Sequence, residues 1–189
     1  MVLKIRTAVF ISGTGSNLKS LIKFSLKKES PIEVSLIISN NAEAKGLKYA
    51  KIYKIKKKIY NYKKNRISET KILKDLKSND IKLICLAGFM KILSEGFIKS
   101  FKGKIFNIHP SLLPKYKGLK THERVIKNKE KYSGCTVHLV NSKLDSGKIV
   151  LQKRVKLSKK ETPSSLQKKI LKLEHILYPR AIDKIFANP

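Results

Sequence analysis

Residues 4–28 read KIRTAVFISGTGSNLKSLIKFSLKK, and this stretch decides the fold. Its first part, residues 4–11, ends in an apolar run with β-branched members and reads as a strand. SGTGSN (12–17) then supplies a tight turn. From Leu18 the period changes: Leu18, Leu21, Ile22 and Leu26 recur on one side of a helix. A strand, a glycine turn and an amphipathic helix are the opening unit of a parallel α/β sheet.

The rest of the chain repeats that alternation. PIEVSLIIS (31–39) reads as a second strand and AEAKGLKYAKI (42–52) as a helix. Residues 66–78 read as a helix, IKLICLAG (81–88) as a buried strand, 94–100 as a short helix and KIFNI (104–108) as a strand. HPSLLPKYKGLKTH (109–122) reads as a long structured loop, SGCTVHLVN (133–141) and KIVLQKRVKL (148–157) as strands. Residues 162–182 form a closing helix, with Thr162 as its cap and Pro163 in its first position. The expected architecture is one α/β domain built on a mostly parallel, doubly wound sheet. Ligands of such sheets bind at the carboxyl ends of the strands.

A length of 189 residues, 41% of them hydrophobic, is enough to bury a core without disulfide or metal staples. Cys85 and Cys135 make no disulfide framework and no CxxC motif, and the four histidines show no metal-ligand spacing. No apolar run reaches the length of a membrane span, and MVLKIRTAVFIS lacks a signal-peptide cleavage pattern. The expectation is a soluble, reduced, cytoplasmic domain. The formal charge of +30 invites a nucleic-acid reading, but only 5 of the 43 basic residues are Arg, the residue favoured by phosphate and base readers. Lys, Ile, Asn and Tyr are also what A+T-rich codons encode, so base composition is a sufficient source for much of this surface. KIYKIKKKIYNYKK (51–64) has the texture of an RNA platform, with Tyr53, Tyr60 and Tyr62 among lysines. The favoured alternative is a strand with Ile55 and Ile59 inward and its lysines in water.

Three short motifs carry the chemistry. Gly13-Thr14-Gly15-Ser16-Asn17 follows a strand and opens a helix, where backbone N–H groups and the helix dipole suit an anion. Leu18 stands where a dinucleotide fingerprint needs glycine, and no Gly-Lys-Ser/Thr is present, so one phosphate fits better than a dinucleotide or triphosphate. An ordinary capped turn explains the same residues equally well. In Asn107-Ile108-His109-Pro110, strand alternation turns Ile108 to the core and lets Asn107 and His109 share an opening. An amide beside an imidazole suits oxyanion stabilisation with proton transfer, though a histidine at a strand end is more often structural. Leu144-Asp145-Ser146-Gly147 is a common turn, whose carboxylate is also able to orient a histidine and favour its protonated form. His138, inside a strand, reads as a packed or supporting group. No GxSxG elbow is present.

Taken together, ISGTGSNL (11–18), LAGFMKILS (86–94), NIHPSLLPKYKGLKTH (107–122), GCTVHLVNSKLDSG (134–147) and LEHILYP (173–179) resemble the folate-dependent phosphoribosylglycinamide formyltransferase family, in family order across nearly the whole chain. The resemblance implies a Rossmann-like sheet of the formyltransferase type, with a phosphate-binding N-terminal half and a catalytic and folate-binding C-terminal half. It implies formyl transfer from 10-formyltetrahydrofolate to phosphoribosylglycinamide in purine synthesis, with no metal. By motif match, Gly15, Ser16 and Asn17 would hold the substrate phosphate, and Leu171, Lys172, Leu173 and Glu174 its ribose-glycinamide part. Arg66, Met90, Lys91, Ile92 and Leu93, with Asn107 and the loop Asn141, Ser142, Lys143, Leu144 and Asp145, would line the folate pocket. Asn107 and protonated His109 would donate to the oxyanion, with Asp145 sustaining the imidazolium. Lys91 stands where the family commonly has arginine, and Cys135 where it has a hydroxyl residue. The chain also stops soon after the closing helix, where relatives carry an extension. The implied partners are small molecules, with no membrane and no nucleic acid, and a homodimer is left open. The rivals are a methionyl-tRNA formyltransferase, which needs a second domain, a basic nucleic-acid module on a retired enzyme fold, and a formyltetrahydrofolate hydrolase.

Overall fold

The computed structural model describes residues 3–62 and 65–186, with the side chains of residues 65 and 66 left out. Seven strands form one sheet: β1 (Ile5–Ile11), β2 (Ile32–Ser39), β3 (Lys56–Ile59), β4 (Leu83–Leu86), β5 (Lys104–His109), β6 (Tyr132–Leu139) and β7 (Ile149–Lys156). Their order is β3-β2-β1-β4-β5-β6-β7. The pairs from β3 to β5 are parallel, while β6 and β7 join antiparallel at one edge. Six α-helices accompany them: α1 (Ser16–Ser25), α2 (Lys48–Ile52), α3 (Asn65–Ser78), α4 (Glu95–Ser100), α5 (Thr121–Lys127) and α6 (Pro163–Phe186).

The inner strands β1, β2 and β4 are largely buried on both faces, as their apolar runs require. On β1, Val9 and Ile11 enter a core with α1, α5 and α6, while Ala8 and Phe10 enter a second core with α3 and α4. Cys135 is fully buried in the first core, and burial pushes its thiol up to about 12, as expected of a small packing residue. The Thr162 cap is present and reciprocal: its hydroxyl accepts from Ser165 N–H at 3.1 Å, and Ser165 Oγ accepts from Thr162 N–H at 2.9 Å.

Helix α6 carries Pro179 in its interior, which cannot donate to the carbonyl of His175 one turn earlier. The Ser20 hydroxyl of α1 donates to that oxygen at 2.8 Å instead, so the gap becomes a fastening between two packed helices. Tyr178, one residue before the proline, is fully buried, and its hydroxyl lies 3.1 Å from the Leu86 carbonyl and 3.0 Å from that of Phe106. It therefore clamps β4 to β5 just below the strand ends.

Three expectations need correction. Residues 42–52 do not form one helix: a 3-10 turn (Lys45–Leu47) precedes a short α2. Gly46 is responsible, because its N–H donates to the Gly13 carbonyl at 2.9 Å and its Cα abuts Gly15, where a Cβ would come within 2.8 Å. Ile59 does not face inward; it is 44% exposed, because β3 is a four-residue edge strand with every residue exposed. Tyr60 and Tyr62 are instead the buried residues of that segment, which removes them from any stacking platform; Lys63 and Lys64 lie outside the described residues. Finally, α5 begins inside the stretch read as a loop. Among the described residues no helix is long and apolar enough to cross a membrane.

Candidate functional site

The chain adds strands outward from β1 in one direction, then returns to add β4 and β5 on its other side, so the order reverses between β1 and β4. The loops leaving the carboxyl ends of these two strands diverge there and open a crevice. A cleft of about 1180 Å³ occupies it, lined by the GTGSN loop, the segment after β4, the end of β5, the 118–123 and 140–145 loops and one face of α6.

Asp145 lines the cleft, 8% exposed, with a left-handed φ of 45°. One carboxylate oxygen, Oδ2, accepts from Gly118 N–H at 2.8 Å and faces His109 Nδ1 at 3.3 Å. The other, Oδ1, lies 3.4 Å from Asn107 Nδ2 and 3.6 Å from His138 Nε2. Burial pushes this carboxyl up, but His138, the Gly118 N–H and the charge on His109 outweigh it and hold it below the ordinary range. The structure thus brings Asn107, His109 and Asp145 together, as strand alternation and the Asp-x-Gly turn allow.

The state of His109 differs from expectation in two ways. Its Nε2 lies 2.8 Å from the Tyr116 carbonyl, an acceptor only, so this N–H is held by the 110–120 loop and not offered to the cleft. Its pKa is lowered from the ordinary histidine value: burial disfavours the charged form, and the Tyr116 carbonyl and Asp145 only partly oppose that effect. Asp145 therefore supports protonation of the ring without dominating it.

At the other end of the cleft Gly15 caps α1 with φ of 71°, where a Cβ would also strike Gly46 Cα at 2.7 Å. Glycine is required here on both counts. The first-turn N–H groups of α1 have no acceptor within the helix, the arrangement that receives an anion. The Asn17 side chain is turned away from that role, leaving only its backbone N–H: its Nδ2 donates to Glu174 Oε2 at 2.7 Å, and the residue is buried. Burial raises Glu174 to about 7, with the Asn17 hydrogen bond pulling it back only in part. Leu171 and Glu174, three apart, share the face of α6 that lines the cleft. Lys172 and Leu173 do not: Lys172 is exposed and Leu173 packs against the core, as 100° per residue dictates.

Met90, Lys91, Ile92 and Leu93 line one wall, and Asn141, Ser142, Lys143 and Leu144 another. The first wall is fixed at both ends. Met90 N–H donates to Ser12 Oγ at 2.7 Å, and Ser12 in turn donates to Asn40 Oδ1 at 2.5 Å. Ser94 N–H donates to Glu69 at 2.9 Å, and the Ser94 hydroxyl donates to the other oxygen of that carboxylate at 2.5 Å. The side chain of Arg66 lies outside the described residues. Sequence reasoning missed Tyr116 and Gly118; the glycine in KYKGLK was the one available signal. Among the described residues no three His, Cys, Asp or Glu side chains converge as metal ligands do.

A family model described as formyl transferase matches residues 5–182. The chain is 39% identical over 180 residues to the phosphoribosylglycinamide formyltransferase of Haemophilus influenzae, covering 94% of this chain and 85% of that protein. It is 40% identical over 185 residues to the human trifunctional purine biosynthetic protein adenosine-3, covering 96% of this chain but only 18% of that one. Among solved structures, phosphoribosylglycinamide formyltransferase from Brucella melitensis superposes with a TM-score of 0.91 at 39% identity, covering 99% of this chain and 97% of the other. The Anaplasma phagocytophilum enzyme of the same name gives 0.89 at 43% identity, over 98% and 87%.

Proposed function

This chain belongs to the formyl transferase family, and from that premise we propose that it moves the formyl group of 10-formyltetrahydrofolate onto the primary amine of 5'-phosphoribosylglycinamide, releasing tetrahydrofolate in purine biosynthesis. The observation that carries this reading is the meeting of Asn107, His109 and Asp145 in the same cleft as the glycine-capped N-terminus of α1, whose free N–H groups suit a phosphate. A hydrolase has no use for the second feature.

The amine nitrogen attacks the formyl carbon; a C–N bond forms and the carbonyl π electrons move to oxygen. Asn107 Nδ2 carries two hydrogens and its contact to Asp145 Oδ1, at 3.4 Å, is long. The hydrogen on that side is weakly held and is available to the developing oxyanion. His109 acts as the imidazolium, with Nδ1–H toward Asp145 Oδ2; it exchanges its Tyr116 carbonyl for the substrate and donates the Nε2 proton to the leaving folate nitrogen as the old C–N bond breaks, ending as the neutral ring. The proton shed by the attacking amine leaves through Asp145 or an ordered water. The N–H groups of residues 15–17 take the phosphate, Glu174 in its carboxylate form accepts from the ribose-glycinamide part, and the walls at 90–93 and 141–145 take the folate. The phosphate site belongs to the N-terminal half and the reacting groups to the C-terminal half, with α6 reaching back to complete the former.

The test mixes the purified protein with both substrates and follows tetrahydrofolate release spectroscopically. Turnover needing both substrates, and falling on the order of 10²–10³ in His109→Ala, is the expected result. Release without the ribonucleotide means a hydrolase, and near-native turnover in His109→Ala removes that residue from the chemistry.

A further inference from the structure

Strands β5 and β6 are antiparallel, and Asn107 stands directly opposite His138 in their register, so both side chains rise from one face of the sheet. His138 is 2% exposed. Its Nδ1 lies 2.8 Å from the carbonyl oxygen of Leu139, which only accepts, so Nδ1 carries a hydrogen. Its Nε2 lies 3.2 Å from Asn107 Nδ2, which only donates, so Nε2 carries a lone pair. One tautomer of the neutral ring satisfies both contacts, and the other satisfies neither.

That tautomer also decides which way the Asn107 amide faces. With the NH₂ inward, one hydrogen goes to His138 Nε2 and the second points toward Asp145 Oδ1 at 3.4 Å. Turned over, the amide would set its oxygen against the Nε2 lone pair and the Asp145 carboxylate together. We propose that His138 is a positioning residue: its bare Nε2 holds the Asn107 amide in the orientation that keeps a hydrogen available for the formyl oxygen. This rests on the reading of Asn107 as the oxyanion donor. The groups facing His138 are Asn107 and His109 from β5, Asp145 from the 141–147 loop, and the uncharged backbone of Gly147.

Two measurements on the full chain test this. Histidine nitrogen NMR at pH 8 should show His138 protonated at Nδ1 and bare at Nε2; the reverse tautomer overturns the proposal. Turnover of His138→Phe should fall roughly 10-fold or more in kcat, less than the 10²–10³ typical of losing a donor outright, with both KM values little changed. In an Asn107→Ala background the same substitution should cost nothing further, because its effect runs through the amide. An equal loss in both backgrounds overturns the proposal. His138→Gln, whose amide is able to accept from Asn107 and donate to the Leu139 carbonyl, should recover most of kcat. If His138→Phe does not fold, the nitrogen spectrum of the native chain decides, and the reverse tautomer is the refuting result. The nitrogen spectrum needs no turnover, so it separates a wrong tautomer from a wrong reaction.

Discussion

Replacing Glu174 by Gln should stabilise the protein while weakening it as an enzyme, and pH separates the two effects. Glu174 is buried, and its carboxyl rises from an ordinary 4.5 to about 7 in the folded state. Below 4.5 the side chain is protonated whether the chain is folded or not, so Glu and Gln should be nearly equivalent. Between 4.5 and about 7 the unfolded chain ionises while the folded one holds its proton, and stability drains away as pH rises. At ~1.36 kcal/mol for each pH unit the loss reaches about 3 kcal/mol by pH 8. Glutamine has no such loss and keeps an oxygen for the Asn17 donor, now 2.7 Å from Glu174 Oε2. Denaturant unfolding of both proteins from pH 4 to pH 8 should give curves that meet at the acid end and diverge through the neutral range. At pH 8 the midpoint temperature of the variant should be higher by roughly 6–12 °C for a domain this size. In steady-state assays at pH 8 the variant should show a raised KM for the ribonucleotide with a smaller change in kcat. The native KM for that substrate should fall as pH rises through about 7, where Glu174 becomes an acceptor. Parallel stability curves across the whole range would mean that Glu174 is not held protonated, and the reasoning would fail.

Other perturbations act on separate parts of the molecule. Ser20→Ala leaves the His175 carbonyl opposite Pro179 without its hydroxyl donor, and should cost about 1–3 kcal/mol in denaturant unfolding. Asp145→Asn keeps an acceptor for Gly118 but takes the negative charge from between His109 and His138; kcat should drop on the order of 10²–10³ while ribonucleotide KM barely moves. Added salt should lower kcat/KM, because both substrates are anions approaching a chain of charge +30, and should leave kcat nearly unchanged.

The parts legible in the sequence were those carried by period and local order. Strand β1 declared itself because both its faces are buried, and Asn107 and His109 followed from alternation around Ile108. What stayed hidden depends on partners the sequence does not mark. Asn17 reads as a phosphate ligand from its neighbours, yet its donor goes to a glutamate 157 residues away. The Nε2 of His109 is taken by a backbone carbonyl, a group that every residue possesses. Ile59 misled for a different reason: alternation says which residues share a face, not whether any helix covers that face. Gly46 weakened a plausible helix because its value lies in close contact with Gly15, a tertiary fact with no local signature.

The charge shows the same division between surface and site. Three acids are almost wholly enclosed (Glu69, Asp145 and Glu174), and hydroxyl, backbone N–H, imidazole and amide groups meet them where lysines do not. The carboxylates on which the proposed chemistry depends are thus set by short-range dipoles fixed in the fold. Lysines such as Lys91, Lys117 and Lys143 lie at or beside the cleft mouth and are exposed or half-exposed. Exposed charges act through water and are screened within about 8 Å at physiological ionic strength, whereas buried hydrogen-bonded groups are screened far less. A surface written largely in lysine therefore bears on how fast anions arrive, and leaves the geometry around Asp145 to decide what happens to them.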